Sequence, residues 1–319
     1  MVRVNDLTRT AVTSGSPSGA LRDDVANLAP TDTDWRLHDH CAAVTRLYAV
    51  YEEFVHAVLG EWLEALPALF GKYGDLPESV RKAYRVGTAE ILSKFDRDRY
   101  AHLTEDQVIR GLADALAGGA YSLGPDAFLT DERNLWRDQL ARVFAQVGVA
   151  DLWKRMSENR EVLGWEHRVL SDQTTLAAEL DLLVRYRNEA AHGSVSEILS
   201  PARLLDTAGL IRVLANALAE VMSGEHLEQM TRLSRIERVG TVIREFSNDI
   251  LGVDTTDLHL AVGDVLICND HGSAFNSTIA SIEIDHVPHG EVDCAAGTHV
   301  GIKVSRTARI GTEIWRALS

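Results

Sequence analysis

Residues 176–193 read LAAELDLLVRYRNEAAHG. Leu176, Leu180, Leu183 and Val184 recur at steps of three and four, the period of an amphipathic helix, and Gly193 is a stop signal just past it. Continuing the stripe lands on Arg187, then on Ala190 and Ala191. An arginine therefore stands where a core residue is expected. Burying an unpaired guanidinium is costly, so Arg187 is expected to face a carboxylate, a subunit interface or a bound phosphate. His192 lies five residues on, about 140° around an ideal helix. The two cannot aim at one point from the middle of a single straight helix, unless its end deforms or a second copy supplies the other residue. Asn188 and His192, four apart, do share a face. A purely structural reading stays open at this point: a histidine beside a terminal glycine suits the helix dipole, and Arg187 can bridge to Glu189, Asp181 or another acid.

The helical grammar extends to both sides. Cys41, Val44, Tyr48, Tyr51, Val55, Val58, Trp62 and Leu66 predict a long amphipathic helix from about Trp35. Thr104 with Gln107 predicts a capping box, and Gly118-Gly119 a stop. Residues 131–147 and 172–192 read as helix, and Ser200-Pro201 starts another that runs to about Met222, with Gly224 just beyond. No strand alternation interrupts residues 35–235, so this part is expected to be an all-α bundle. Beyond about Arg235 the segments VGTVIREF, LAVGDVLIC, NSTIASIEID, THVGIKV and TEIWRAL are short, rich in Val, Ile and Thr, and separated by turn residues. They predict a small antiparallel barrel. The expected fold class is α+β, with a flexible arm over residues 1–32, a helical domain over 33–235 and the barrel over 236–319.

The chain has 319 residues, long enough for two ordinary domains. Its 47 acidic against 32 basic side chains leave a formal net charge of −15, which argues against a histone-like grip on nucleic acid but not against a local basic groove. Residues 237–319 hold 6 basic and 12 acidic side chains, so neither half is basic by composition. No apolar run approaches a membrane span, and three scattered cysteines fit a reducing compartment. A cytoplasmic protein is expected.

The phrase Arg187-Asn188-Glu189-Ala190-Ala191-His192-Gly193, ending a helix that begins LDLLVRY, resembles the Arg-x4-6-His motif of the HEPN superfamily, and most closely its RiboL-PSP branch. LYAVYEEFV resembles a segment of that family's first long helix, and Asn134 in DERNLWRDQL matches a recurrent Asn before its middle helix. The resemblance spans residues 35–225. It implies a metal-independent ribonuclease acting as a homodimer, with the Arg and His of two protomers facing one cleft. His192 would be general acid or base and Arg187 the phosphate clamp, with Asn188 positioning the phosphate or the imidazole. No cofactor is implied. Glu53, or its neighbour Glu52, is the expected acidic partner of Arg187 from the first helix, and Arg185 is expected to add positive potential. A solvated surface acid and a plain surface arginine are the competing readings of Glu53 and Arg185.

The five β segments resemble, in order, the second domain of translation GTPases such as elongation factor Tu. Gly263-Asp264 and Ala296-Gly297 match that family's turns, while no phosphate-binding G-x4-GK[ST] loop is present. Cys268, His271, His286, His289, Cys294 and His299 crowd this region but lack a paired CxxC knuckle, so turn histidines are the expected reading and no metal site. Together the resemblances imply a nuclease that the barrel directs to tRNA or rRNA, of the kind serving as toxins or phage-defence effectors with a neutralising or sensing partner. The competing expectation is a non-catalytic module for dimerisation, nucleotide sensing or translation-associated binding.

Overall fold

A computed structural model describes residues 30–130, 134–170, 174–246, 249–270 and 273–318. The expected arm lies outside them except for its last three residues, as does His271. Among these residues the chain begins with eight α-helices: α1 (Asp32–Leu69), α2 (Glu78–Ser93), α3 (Glu105–Ala117), α4 (Arg137–Gln146), α5 (Leu152–Ser157), α6 (Arg160–Val169), α7 (Leu176–His192) and α8 (Pro201–Arg232). Nine strands follow: β1 (Ile236–Glu245), β2 (Ile250–Thr255), β3 (Leu258–Ala261), β4 (Val265–Asp270), β5 (Ser273–Ile284), β6 (Val287–His289), β7 (Glu291–Cys294), β8 (His299–Val304) and β9 (Glu313–Ala317). The fold is α+β. Among the described residues no helix is long and apolar enough to cross a membrane.

Capping chemistry sets several helix ends. Thr31 and Asp34 close a capping box on α1, Thr104 and Gln107 on α3, and the Ser200 hydroxyl accepts from Arg203 N–H at the start of α8. The buried stripe of α1 runs His40, Val44, Tyr48, Tyr51, Val55, Leu59, Trp62, Leu63, Leu66 and Leu69. His40 thus takes the inward position expected of its neighbour Cys41. The described part of the helix expected over 131–147 starts only at Arg137, because the Leu135 N–H and carbonyl are bonded to Tyr48 and Tyr51 of α1.

α8 departs most from expectation. It does not stop before Gly224 but continues two turns further to Arg232, with Gly224 buried inside it. The reason is tertiary: Leu227 and Met230 pack with Ile236, Ala274, Ile267 and Trp315 of the barrel, so burial outweighs the roughly 1 kcal/mol that a mid-helix glycine costs. Ion pairs brace the same contact, Arg306 with Glu220 and, at 3.5 Å, Arg160 with Glu245. The barrel thereby docks directly on the helical part.

Six strands close the barrel in the order β4-β9-β1-β2-β8-β5, with β5 pairing back onto β4, all antiparallel. β6 extends β5 as a hairpin, and β3 with β7 forms a separate two-stranded ribbon. The strand ILGVDT was not among the five expected segments because its Gly and Asp break the apolar alternation. Gly240 is required where β1 meets β2, since a Cβ there would lie 2.2 Å from the Asp254 carbonyl oxygen. Gly263, at φ +98°, makes the turn into β4. Cys268 and Cys294 are buried in the barrel core, and burial pushes the Cys268 thiol up to about 12.

Candidate active site

α7 carries the motif, and three other segments hold its end. Gly193 closes the helix in the left-handed conformation, φ +69°, and its N–H goes to the Glu189 carbonyl. The Glu189 carboxylate folds over this cap and accepts from the Ser196 backbone N–H at 3.0 Å and hydroxyl at 2.7 Å. Those two bonds hold its carboxyl below the usual carboxylate range.

Arg187 is half-buried and turned toward α1. Its guanidinium carbon lies 5.1 Å from the Tyr48 ring centroid, and Nη1 donates to Asn188 Oδ1 at 3.2 Å. The same Asn188 oxygen accepts from Asn134 Nδ2 at 2.7 Å. Tyr48 ties the cluster down from below. Its hydroxyl donates to Glu52 Oε1 at 3.3 Å and accepts the Leu135 N–H at 3.1 Å. Burial pushes this phenol up to about 12, so it stays a neutral donor. Tyr51 donates to the Leu135 carbonyl at 2.9 Å, and Arg137 N–H donates to Asp181 Oδ1 at 3.0 Å. Residues 134–137 are thus pinned to both α1 and α7.

Of the acids that offered a structural bridge, Asp181 is engaged with Arg137 and Glu189 with Ser196. Among the described residues no carboxylate pairs with Arg187. The contrast within this chain is clear. Arg155, Arg203 and Arg309, with side chains 14%, 28% and 31% exposed, pair with Glu225, Glu179 and Asp270. Arg187 spends one N–H on an amide oxygen and lays its face on a ring, which orients the fork without neutralising it.

The expected residues are therefore only partly brought together. Arg187 and Asn188 touch. His192 sits exposed at the last position of α7, without a hydrogen-bond partner among the described residues, on a different face from Arg187. Glu53 is exposed on α1 and does not reach Arg187; the acid in the cluster is Glu52, which Tyr48 reaches because the two are four apart on one helix. Arg185 is exposed, 3.8 Å from Glu189, with its guanidinium against the Tyr186 ring at 5.3 Å.

Sequence reasoning missed two participants. Tyr48 was read as part of the apolar stripe, although a tyrosine four residues before a glutamate was a usable signal. His40 is 1% exposed beneath the loop that follows α7: its Nδ1 accepts the Leu199 N–H at 3.2 Å, while Nε2 has no partner among the described residues. Burial pushes this imidazole down, against the opposing influence of Glu189 and Glu197.

A half-buried Arg187, an Asn188 bonded to it and a terminal His192 now stand on one helix, and a family model for RiboL-PSP-HEPN matches residues 23–224. The chain belongs to the RiboL-PSP-HEPN family. The match takes in α1 to α7 and α8 as far as Gly224, and ends before the barrel. No curated protein matches the chain. Within this HEPN domain the motif occupies the C-terminal end of α7, and α1 and the segment before α4 supply its supports.

Proposed function

We propose that the HEPN domain is a metal-independent RNA endonuclease that cleaves tRNA or rRNA. The observation that carries this reading is Arg187, a half-buried cation oriented by Tyr48 and Asn188 and, among the described residues, paired with no carboxylate. RNA brings its own nucleophile. A base takes the proton of the 2′-OH, the 2′ oxygen attacks phosphorus, and the 5′ oxygen leaves with a proton from an acid, giving a 2′,3′-cyclic phosphate and a 5′-OH end. Imidazole suits the proton transfers because histidine titrates near neutrality, and that is the role given to His192. Arg187 stabilises the extra charge on the pentacoordinate phosphorus, and Asn188 fixes the guanidinium. Because Arg187 and His192 diverge around α7, the working cleft is one in which a second copy supplies the other residue, so the active species is a homodimer. The barrel, whose turns resemble those of translation factors, selects the RNA. The role that follows is that of a cytoplasmic toxin or defence effector, held in check by a neutralising or sensing partner.

The test incubates the purified chain and its His192→Ala variant with total tRNA and rRNA in EDTA and maps new ends. Cleavage by the wild type alone, leaving 2′,3′-cyclic phosphates, is the expected result. Silence from a verified dimer across all substrates overturns it in favour of a non-catalytic dimerising or nucleotide-sensing module, which the net charge of −15 favours.

A further inference from the structure

α3 carries two apolar faces and uses only one of them inside the chain. Val108, Leu112 and Ala115 pack against the core of the helical domain. Ile109, Ala113, Leu116 and Ala117 recur at the same steps of three and four but face out, with Ile109 54% and Leu116 59% exposed. One stripe is enough to dock a surface helix, so the second is surplus to the fold. Single exposed apolar side chains are ordinary, but four in register along more than two turns make one continuous surface. Charges border it on one flank, where Asp106, Arg110 and Asp114 stand one turn apart. Arg110 Nε donates to both Asp106 oxygens, at 2.7 and 2.8 Å, while among the described residues Asp114 meets no cation. Asp114 also sits in the last turn, where the helix dipole disfavours a carboxylate and no basic residue offsets it.

We propose that this face of α3 is covered by the α3 of a second copy of the chain, packed antiparallel about a two-fold axis near residues 112–113. Turning the helix end for end sets Ile109 level with the partner's Leu116, and the reverse, with the small Ala113 close to the axis. Arg110 and Asp114 each follow a stripe residue by one position, about 100° round the helix, so both lie on one flank. A two-fold axis brings that flank against itself. Arg110 then comes to within about one residue, ~1.5 Å, of level with the partner's Asp114, and each unpaired carboxylate gains a cation. The surface is remote from the Arg187 cluster, and the inference stands whether or not that cluster cleaves RNA. Tyr121, just past α3, donates to the Phe70 carbonyl at 2.7 Å at one end of α1, and Tyr48 lies about 30 Å back along that helix at 1.5 Å per residue. A contact here therefore adds to a dimer formed at the Arg187 cleft, and two different two-fold contacts link copies into tetramers or chains. A pair of 13-residue helices covers less than the ~1,200 Å² of a standard stable interface, so association through α3 is weak and set by concentration.

The experiment follows the weight-average mass of the full chain by analytical ultracentrifugation from micromolar to near-millimolar concentration. The wild type is expected to reach at least twice its low-concentration mass. Ile109→Glu with Leu116→Glu should hold the low-concentration mass throughout, while Val287→Glu with Ile310→Glu, an equal change of charge at exposed barrel positions, should behave as the wild type. Register is read by reversal: Arg110→Glu and Asp114→Arg should each weaken association about three- to tenfold, and the two together should restore it. In a Cys41→Ser background, Ala113→Cys should be joined to its own copy by a short bismaleimide, and Ala117→Cys, one turn further from the axis, should not. An unchanged thermal transition shows that each variant folds. A mass that does not rise overturns the second copy as the occupant. Equal losses in the α3 and barrel variants, no recovery in the double reversal, or no preference for linking through position 113 overturns it as well.

Discussion

In the barrel, Arg316 has a side chain 24% exposed; it donates to Glu237 at 2.9 Å, to Asp264 at 3.1 Å and to the His259 carbonyl at 2.8 Å. Burial would lower its pKa, but the two carboxylates more than offset that and raise it. At the seam of α1 and α7, Arg187 is also half-buried, yet its partners are an amide oxygen and the face of Tyr48. One arginine is neutralised where it sits; the other, among the described residues, meets no carboxylate. The difference separates a cation matched by two carboxylates from one held by an amide oxygen and a ring, and it can be broken by substitution.

The largest expected effect is on cleavage. Arg187→Ala and His192→Ala should each lower the rate of end formation by about 10²–10³-fold, the scale of losing one phosphate-stabilising or proton-transferring group, with the thermal transition little changed. Arg187→Lys keeps the charge but loses the planar fork, and a rate between wild type and alanine variant is expected. If Arg187→Ala unfolds the chain instead, the two arginines are alike and the comparison collapses.

Next comes Tyr48. Tyr48→Phe keeps the ring under Arg187 but leaves the buried Leu135 N–H without its acceptor, so a loss of about 1–3 kcal/mol in chemical denaturation is expected. Tyr48→Leu should add a fall in cleavage because the guanidinium loses its platform. Equal activity of the two variants would show that the ring face does not orient Arg187.

Arg316→Ala is expected to cost about 1–2 kcal/mol of stability, since Glu237 and Asp264 stay partly solvated when left unpaired. Cleavage of generic RNA by the folded fraction should not change, opposite to Arg187→Ala.

The smallest effect is a pH dependence. The folded-state pKa of His40 lies below its ordinary value of 6.5, so its contribution to stability is complete above about pH 6.5 and is lost as pH falls through the depressed value. The thermal transition should decline on acidification through this window, and less steeply in His40→Gln, whose amide oxygen can still accept the Leu199 N–H. His226, also pushed down by burial, adds to the same decline and stays in the variant. An identical slope in both proteins would remove His40 from the account.

Local signals were enough where the chain acts on its nearest neighbours. The capping hydroxyls of Thr104 and Ser200, the left-handed Gly193 and the turn at Gly263 each work within about one turn of backbone, and each is readable from residue type. The stripe of α1 was readable for the same reason, to within one residue. The strand ILGVDT and the last two turns of α8 were not. Their stability comes from partners far along the chain: β2 sits between β1 and β8, and Leu227 and Met230 bury against the barrel.

The candidate site divides the same way. Sequence alone put Arg187 and Asn188 on a helix ending in His192, and the 3.6-residue repeat alone showed that Arg187 and His192 diverge. Tertiary structure decided what faces Arg187: the Tyr48 ring of α1, with Asn134 reaching Asn188 beside it. Helix periodicity is a property of the backbone, written residue by residue. Which side chains meet across α1, α4 and α7 depends on how those helices pack, and a linear pattern does not encode that distance.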